Sequence, residues 1–342
     1  MIRVFERRTV ARRGHSSTIQ LVLDILLVTF PFFALVLAGY VAARRRMLPL
    51  DAIPGLNAFV LYFALPCLLY RFGASTPIAQ LLDAVAATVY LLSALILVAG
   101  VVKFSRNERI GWNDASFGAL VAAFPNTGFM GVPLLIALLG AQASGPAIVT
   151  ILVDLLVTSS LCVALSRLDG ADVHGAEVAA MNALKGVAVN PMPWAIVLGA
   201  LASALHFQPV KPVAQTIGLL ADSASPVALF TIGAVLARSQ HVAALHEHAP
   251  MPARDYVPVT LVKLVVHPLL VWALGHAAML AGVPLRPESL TVMVLVAALP
   301  SASNVALLAE RFGADTGRIA RIILLTTAAA FVTFSAAVAL MK

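Results

Sequence analysis

Two short stretches carry most of the chemistry in this sequence: "FPNTGFMGVP", with Pro125, Asn126, Thr127 and Gly128, and "LPSASN", with Pro300, Ser301, Ser303 and Asn304. Both lie inside apolar runs long enough to cross a bilayer. Proline removes a backbone donor and clashes with the preceding turn, so each stretch interrupts a helix. Lipid cannot satisfy the freed backbone groups; such a break is tolerated where it lines a protein-enclosed cavity. There the N–H groups that open the second half-helix form a partial positive site for an anion. Asparagine amides and Ser/Thr hydroxyls add groups that can hydrogen-bond a carboxylate. These residues are the candidate substrate-binding set. The competing reading is two proline kinks stabilised by neighbouring helices, and two polar breaks at matching positions argue against it.

Ionisable residues within apolar runs form a second group. Asp154 lies in "TILVDLLVTSS", one turn before Thr158, so both share a helix face. Lys263 and His267 are four residues apart and share a face too, while Asp222 lies in "LLADSASP". Charges at bilayer depth are costly and face a cavity or a partner. Asp154, Asp222 and Lys263 are therefore candidates for a proton or cation relay, or for a charge that neutralises substrate. A structural ion pair or snorkelling to an interface is the alternative, weightier for Asp222 because it stands near a membrane face. His267 reads as a packing residue. His241, His246 and His248, with Glu247 and Asp255 nearby, read as a cytoplasmic loop rather than a metal site, which needs fixed geometry. Cys67 and Cys162 fall within apolar runs and suggest neither a disulfide framework nor a metal cluster. No catalytic residue, metal or cofactor is expected.

The elements that must hold these residues follow from composition. Of 342 residues, 61% are hydrophobic and 11% charged, whereas soluble chains carry about a quarter charged residues. The fold class is an all-α polytopic membrane protein. Ten apolar spans are predicted near 24–43, 52–70, 80–102, 113–139, 145–166, 190–206, 213–237, 257–280, 289–312 and 318–341. The division is a basic N-terminal tail (1–23), a first five-helix unit (24–167), a cytoplasmic linker (168–189) and a second five-helix unit (190–342). Within the linker, residues 174–186 read as a short amphipathic surface helix or a solvated segment. A formal charge of +7 fits basic topology-setting loops better than nucleic-acid binding.

The two units resemble each other. "VAAFP" at 121–125 recurs as "VAALP" at 296–300, an offset of 175, and "ALPCLLYRFG" at 64–73 parallels "ASPVALFTIG" at 224–233, an offset of 160. The difference of 15 is about the length of the polar insert Ser239 to Asp255. Two successive five-span units must face opposite ways, which is the inverted repeat of secondary transporters, with the broken fourth and ninth helices crossing near the midplane. Odd-numbered loops carry most of the basic residues, among them Arg44, Arg45, Arg46, Lys103, Arg106 and Arg109. The positive-inside rule makes those loops cytoplasmic and both termini outward, although the tail's Arg3, Arg7, Arg8, Arg12 and Arg13 run against this.

With "PNTGFMGVPLL", "NPMPWAIVLGAL", "SPVALFTIGAVLA", "KLVVHPLLV" and "ALPSASNVALLAERFG" in this order, the chain resembles the auxin efflux carrier family, which includes bacterial organic-acid permeases. The resemblance runs from about Asp24 onward. It implies ten helices in two inverted repeats, akin to bile-acid-symporter and sodium/proton-antiporter folds, a scaffold part, a transport part and homodimers. It also implies that Pro125, Asn126, Pro300 and Asn304 stand at a crossover where carboxylates bind. Bacterial members are associated with malonate and malate. Plant members export indole-3-acetate and have a long central loop; the loop here, about 20 residues, favours the bacterial type. The expected function is alternating-access transport of a small carboxylate across the bacterial inner membrane, with protons or sodium ions as candidate coupling ions and membrane lipid as the surrounding partner. An exporter of auxin-like aromatic acids is the alternative within the family. A polytopic enzyme is the alternative outside it, with Asp154 and Asp222 as an aspartyl pair, but neither has a Gly-x-Gly-Asp context. A cation exchanger would place acidic residues at the crossover, where this chain has Asn, Ser and Thr, and a receptor would need a signalling domain.

Overall fold

A computed structural model describes residues 26–76, 83–168, 191–245 and 251–341. The basic tail, nearly all of the linker, and His246, Glu247 and His248 lie outside the described residues. The described residues form helices and their connections, with one isolated bridge and no strand. The segments are α1 (Leu26–Arg44), α2 (Leu50–Ser75), α3 (Ala84–Ser105), α4 (Trp112–Ala123), α5 (Thr127–Leu139) and α6 (Ala141–Leu165). They continue as α7 (Pro191–Ala204), α8 (Lys211–Leu245), α9 (Val257–Leu280), α10 (Pro287–Ala298), α11 (Asn304–Arg311) and α12 (Thr316–Met341). Seven helices are long and apolar enough to cross a membrane: α1, α2, α3, α6, α8, α9 and α12. The chain is a multi-span membrane protein. Four of the shorter segments meet where proline and asparagine predict breaks: α4 gives way to α5 at Phe124–Asn126, and α10 to α11 at Leu299–Ser303.

Local chemistry explains several boundaries. The Asp83 carboxylate caps α3, accepting from the Ala86 amide at 2.9 Å, and Pro287 opens α10 at a position where its missing N–H costs nothing. Gly140 ends α5 at φ 89°, a conformation that a side chain would strain. α8 continues beyond Arg238 to Leu245, so the polar insert before α9 begins as helix. Four wide π-turns interrupt the helices, at Val60–Ala64, Thr127–Gly131, Asp154–Thr158 and Val262–Val266. Three of them end two residues before a proline: Pro66, Pro133 and Pro268. Widening the turn there relieves the clash of the ring with the carbonyl four residues back. The turn that begins at Asp154 has no proline after it.

Glycines set the closest helix contacts. An added Cβ at Gly39 of α1 would lie 1.8 Å from the Phe230 carbonyl oxygen of α8, and one at Gly233 of α8 would lie 1.8 Å from that of Val36. Between α2 and α7, a Cβ at Gly73 would lie 2.6 Å from the Ile196 carbonyl oxygen and one at Gly199 2.2 Å from that of Tyr70. Backbone rests on backbone at both crossings. Small residues permit such approach where dispersion, not water exclusion, must hold helices together. α2 packs on both α7 and α8, so α1, α2, α7 and α8 form one layer. The other helices pack around α4 and α10, whose residues from Ala115 to Ala123 and from Leu290 to Ala298 are buried with few exceptions.

Ion pairs join helix ends. Arg286, before α10, pairs with Asp83 before α3 at 2.9 Å. At the opposite ends, buried Arg318 of α12 donates to the carbonyl of Asp255 before α9 and to that of Asp114 in α4, each at 2.7 Å.

Candidate functional site

The two interruptions meet. Pro125 and Ser301 form an antiparallel bridge; the Asn126 amide donates to the Pro300 carbonyl at 2.9 Å, and the Ala302 amide to that of Phe124 at 3.0 Å. Each broken helix thus supplies the hydrogen bonds that the other lost, which is how irregular backbone survives inside a membrane protein. Ser301 adds two anchors: its hydroxyl donates to the Val121 carbonyl at 2.6 Å, and its amide to the Thr326 hydroxyl at 3.3 Å. Ser301 is committed to holding the crossing together.

A cavity of about 40 Å³ lies beside the bridge. Pro125, Asn126, Thr127, Gly128, Asn304 and Asp154 line it, closed by Leu65 and Leu69 of α2 and Met192 of α7. No side chain caps α5 or α11 at its N-terminus. The Asn126 Oδ1, Thr127 Oγ1 and Asn304 Oδ1 atoms are buried without a hydrogen-bond partner. Buried polar atoms without partners are rare in folded proteins and point to a ligand or to a function. A hydroxyl can rotate to donate, and an asparagine turned by 180° presents its NH₂ instead. Together with the uncapped helix starts, these groups are the polar points of a small, mostly apolar hollow. Ser303 precedes α11 without capping it, and Pro300 belongs to the bridge.

Asp154 is buried at the edge of the cavity. Its carboxylate accepts from the Tyr90 hydroxyl at 3.0 Å and from that of Thr158 at 3.2 Å. Across the Tyr90 ring, whose centroid is 6.1 Å from that of His267, lies the buried Lys263. Its ammonium donates to the Ala297 carbonyl at 2.7 Å and stands 3.2 Å from His267 Nδ1. Ala297 is near the C-terminal end of α10, where carbonyls lack helical partners and a cation is favoured. Lys263 therefore completes the break in α10.

Asp222 belongs elsewhere. It forms an ion pair with Arg71 at 2.6 Å, with 69% of its side chain exposed, whereas Asp154 is 1% exposed. The two aspartates do not share a site. Among the described residues, no group of three or more His, Cys, Asp and Glu could hold a metal ion. Tyr90 went unnoticed in the sequence, although a tyrosine amid an apolar span needs a partner for its hydroxyl. His267, read as a packing residue, is fully buried beside Lys263.

Apolar membrane-crossing helices and two broken helices joined beside a small buried hollow are features of a membrane transport protein. A family model described as "Membrane transport protein" matches residues 25–174 and 176–338, and the chain belongs to that family, the auxin efflux carriers. It is 29% identical over 309 residues to a "Putative malonate transporter" of Rhizobium meliloti, covering 89% of this chain and 92% of that protein. It is 28% identical over 294 residues to "Uncharacterized transporter YfdV" of Escherichia coli, covering 84% and 88% of the two chains. A shorter match, 33% over 135 residues, relates 38% of this chain to 20% of auxin efflux carrier component 3 of Arabidopsis thaliana.

Proposed function

We propose that this transporter carries a small organic carboxylate of the malonate or malate kind across the bacterial inner membrane. The observation that carries the reading is the set of unpartnered polar atoms, on Asn126, Thr127 and Asn304, around uncapped helix starts at a buried crossing. The relative named for malonate supports the choice of substrate. The shorter match to plant auxin carriers keeps an aromatic acid as the second reading.

The architecture behind the proposal is ten spans in two inverted units, 24–167 and 190–342, with α4 and α5 forming the fourth span and α10 and α11 the ninth. Contact geometry supports the repeat. Gly39 with Phe230 and Gly199 with Tyr70 are the same contact with both first members separated by 160 and both second members by 160 (199 − 39 and 230 − 70). Gly233 with Val36 and Gly73 with Ile196 obey the same offset. Opposed directions are supported by the helix-end pairs. α3 begins beside α10 through Asp83 and Arg286, and α4 begins beside α9 and α12 through Arg318. The third and eighth spans then run oppositely, as do the fourth and ninth. Loop charge gives cytoplasmic odd loops and outward termini.

Mechanistically, the bundle around the crossing moves against the layer of α1, α2, α7 and α8, by an elevator or rocking motion. A cavity of about 40 Å³ holds a few waters at most, so a dicarboxylate enters only when Leu65, Leu69 and Met192 draw back. A dianion entering a cell at −100 mV works against about 4.6 kcal/mol. Uptake needs accompanying cations, whereas export runs on the potential. Asp154 is the coupling candidate, since a carboxylate lining the same cavity repels a dianion unless it is protonated. Lys263 supplies the compensating positive field. The protein acts as a homodimer in this reading. Proteoliposome uptake of labelled malonate, malate and indole-3-acetate under imposed pH, sodium and voltage gradients tests substrate, coupling and direction together. Failure of all three acids to move would overturn the substrate class.

A further inference from the structure

A larger cavity lies away from the crossing. A groove of about 450 Å³ runs between α3 and α9, within the range of roughly 300–1,000 Å³ found for small-molecule sites. Its floor and walls are apolar: Ile96, Gly100 and Phe104 of α3 face Val262, Val266 and Leu270 of α9. Ile96, Phe104 and Val266 are exposed, and on membrane-crossing helices that exposure means contact with acyl chains. Gly100 is what opens the groove, because a Cβ placed there would meet nothing within 4 Å.

One end is polar. Arg254 and Arg318 line it, beside Asn107 and Asp255. The Arg254 side chain is 69% exposed, and its ion-pair contact among the described residues is a 4.0 Å approach to its neighbour Asp255. Arg318 is 2% exposed, and its Nη2 has no hydrogen-bond partner although the other guanidinium nitrogens donate. From Ile96 to Ser105 the groove follows α3 for about 14 Å at 1.5 Å per residue, close to one leaflet's share of a hydrocarbon core of about 30 Å. An apolar channel one leaflet long, with arginines at the membrane surface, has the shape and charge of a phospholipid.

We propose that this groove binds an anionic phospholipid, with one acyl chain lying over Gly100 between α3 and α9 and its phosphate against Arg254 and Arg318. Basic clefts between membrane helices hold acidic headgroups by the same electrostatics. The site lies on the bundle that carries the crossing, away from the substrate cavity, so a lipid here anchors that bundle to one leaflet.

The test uses the full chain in detergent, titrated with phosphatidylglycerol or phosphatidylcholine and read by native mass spectrometry and by melting temperature. Phosphatidylglycerol should be retained more strongly than phosphatidylcholine. Arg254→Gln should weaken its retention about fivefold, the effect of one basic residue at a membrane surface. Gly100→Phe should reduce retention of both lipids, with melting in the absence of lipid no lower than that of the parent; Gly100→Leu serves if the larger plug disturbs folding. Equal retention of phosphatidylglycerol by the parent and both variants overturns the proposal. So does displacement of the lipid by free glycerol 3-phosphate at comparable concentration, which would mark a site for small anions. Malonate uptake by the variants separates this result from any failure of the substrate reading.

Discussion

At the level of single side chains, the site divides residues that build the crossing from residues left free to bind. Ser301 spends its hydroxyl on the Val121 carbonyl, so Ser301→Ala should cost stability, about 1 kcal/mol for a lost hydrogen bond, seen as a lower melting temperature with substrate affinity little changed. Asn126 and Asn304 have buried carbonyl oxygens without partners; their replacement by Ala should do the reverse. Hydrogen bonds to a charged ligand contribute about 1.5–3 kcal/mol, so each variant should bind carboxylate about tenfold to a hundredfold more weakly and melt near the parent temperature. Undiminished uptake by both would remove them from the site. Asp154 calls for a different measurement. Asp154→Asn keeps one acceptor oxygen for Tyr90 or Thr158, and its NH₂ can donate to the other hydroxyl, but it carries no titratable proton, so uptake should lose its response to an imposed proton gradient while exchange of substrate across the membrane persists. Retention of the full proton response would assign coupling elsewhere.

At the level of helices, the sequence made the breaks legible because proline and asparagine together in an apolar run leave backbone groups that lipid cannot satisfy. Most helix ends fall within about five residues of the predicted spans, but α8 runs on to Leu245 where the predicted span ends at 237. Glycine contacts were less legible: "TIGAVLA" shows a glycine but not the carbonyl that it rests on. Gly233 touches the backbone of α1, while Gly218 in the same helix has open space around it. Gly233→Ala should therefore destabilise by about 1–3 kcal/mol, the usual cost of overpacking. Gly218→Ala should be neutral or stabilising by up to about 1 kcal/mol, through helix propensity alone. Melting of the two variants side by side checks the contact, and equal effects would mean that α1 and α8 are not in backbone contact. Tyr90 shows the limit of reading along a chain. It meets Asp154 across 64 residues, and only packing of α3 on α6 reveals the pair. Asp222 shows the converse: the sequence puts it near a membrane face, where an ion pair is the weightier reading, and it pairs with Arg71 of α2, both side chains exposed.

For the whole molecule, the decisive question is whether the bundle around the crossing moves relative to the layer that closes the cavity. The small hollow and its apolar lid are what the proposed motion opens to substrate. Phe33 of α1 and Phe331 of α12 bridge the two parts, with ring centroids 5.2 Å apart in an edge-to-face contact. Each is only partly buried, so thiols placed there are open to reagents. In a background of Cys67→Ala and Cys162→Ala, the pair Phe33→Cys and Phe331→Cys joined by a short bifunctional thiol reagent should hold the parts in register. Net malonate flux should fall to background, and a reducible linker should restore it on cleavage. The single-cysteine variants treated with the same reagent should keep transporting, because each modification then rides on one part alone. If the tethered protein transports at the untethered rate, the two parts do not slide past each other at this contact, and the substrate must reach the crossing by a gate within the bundle instead.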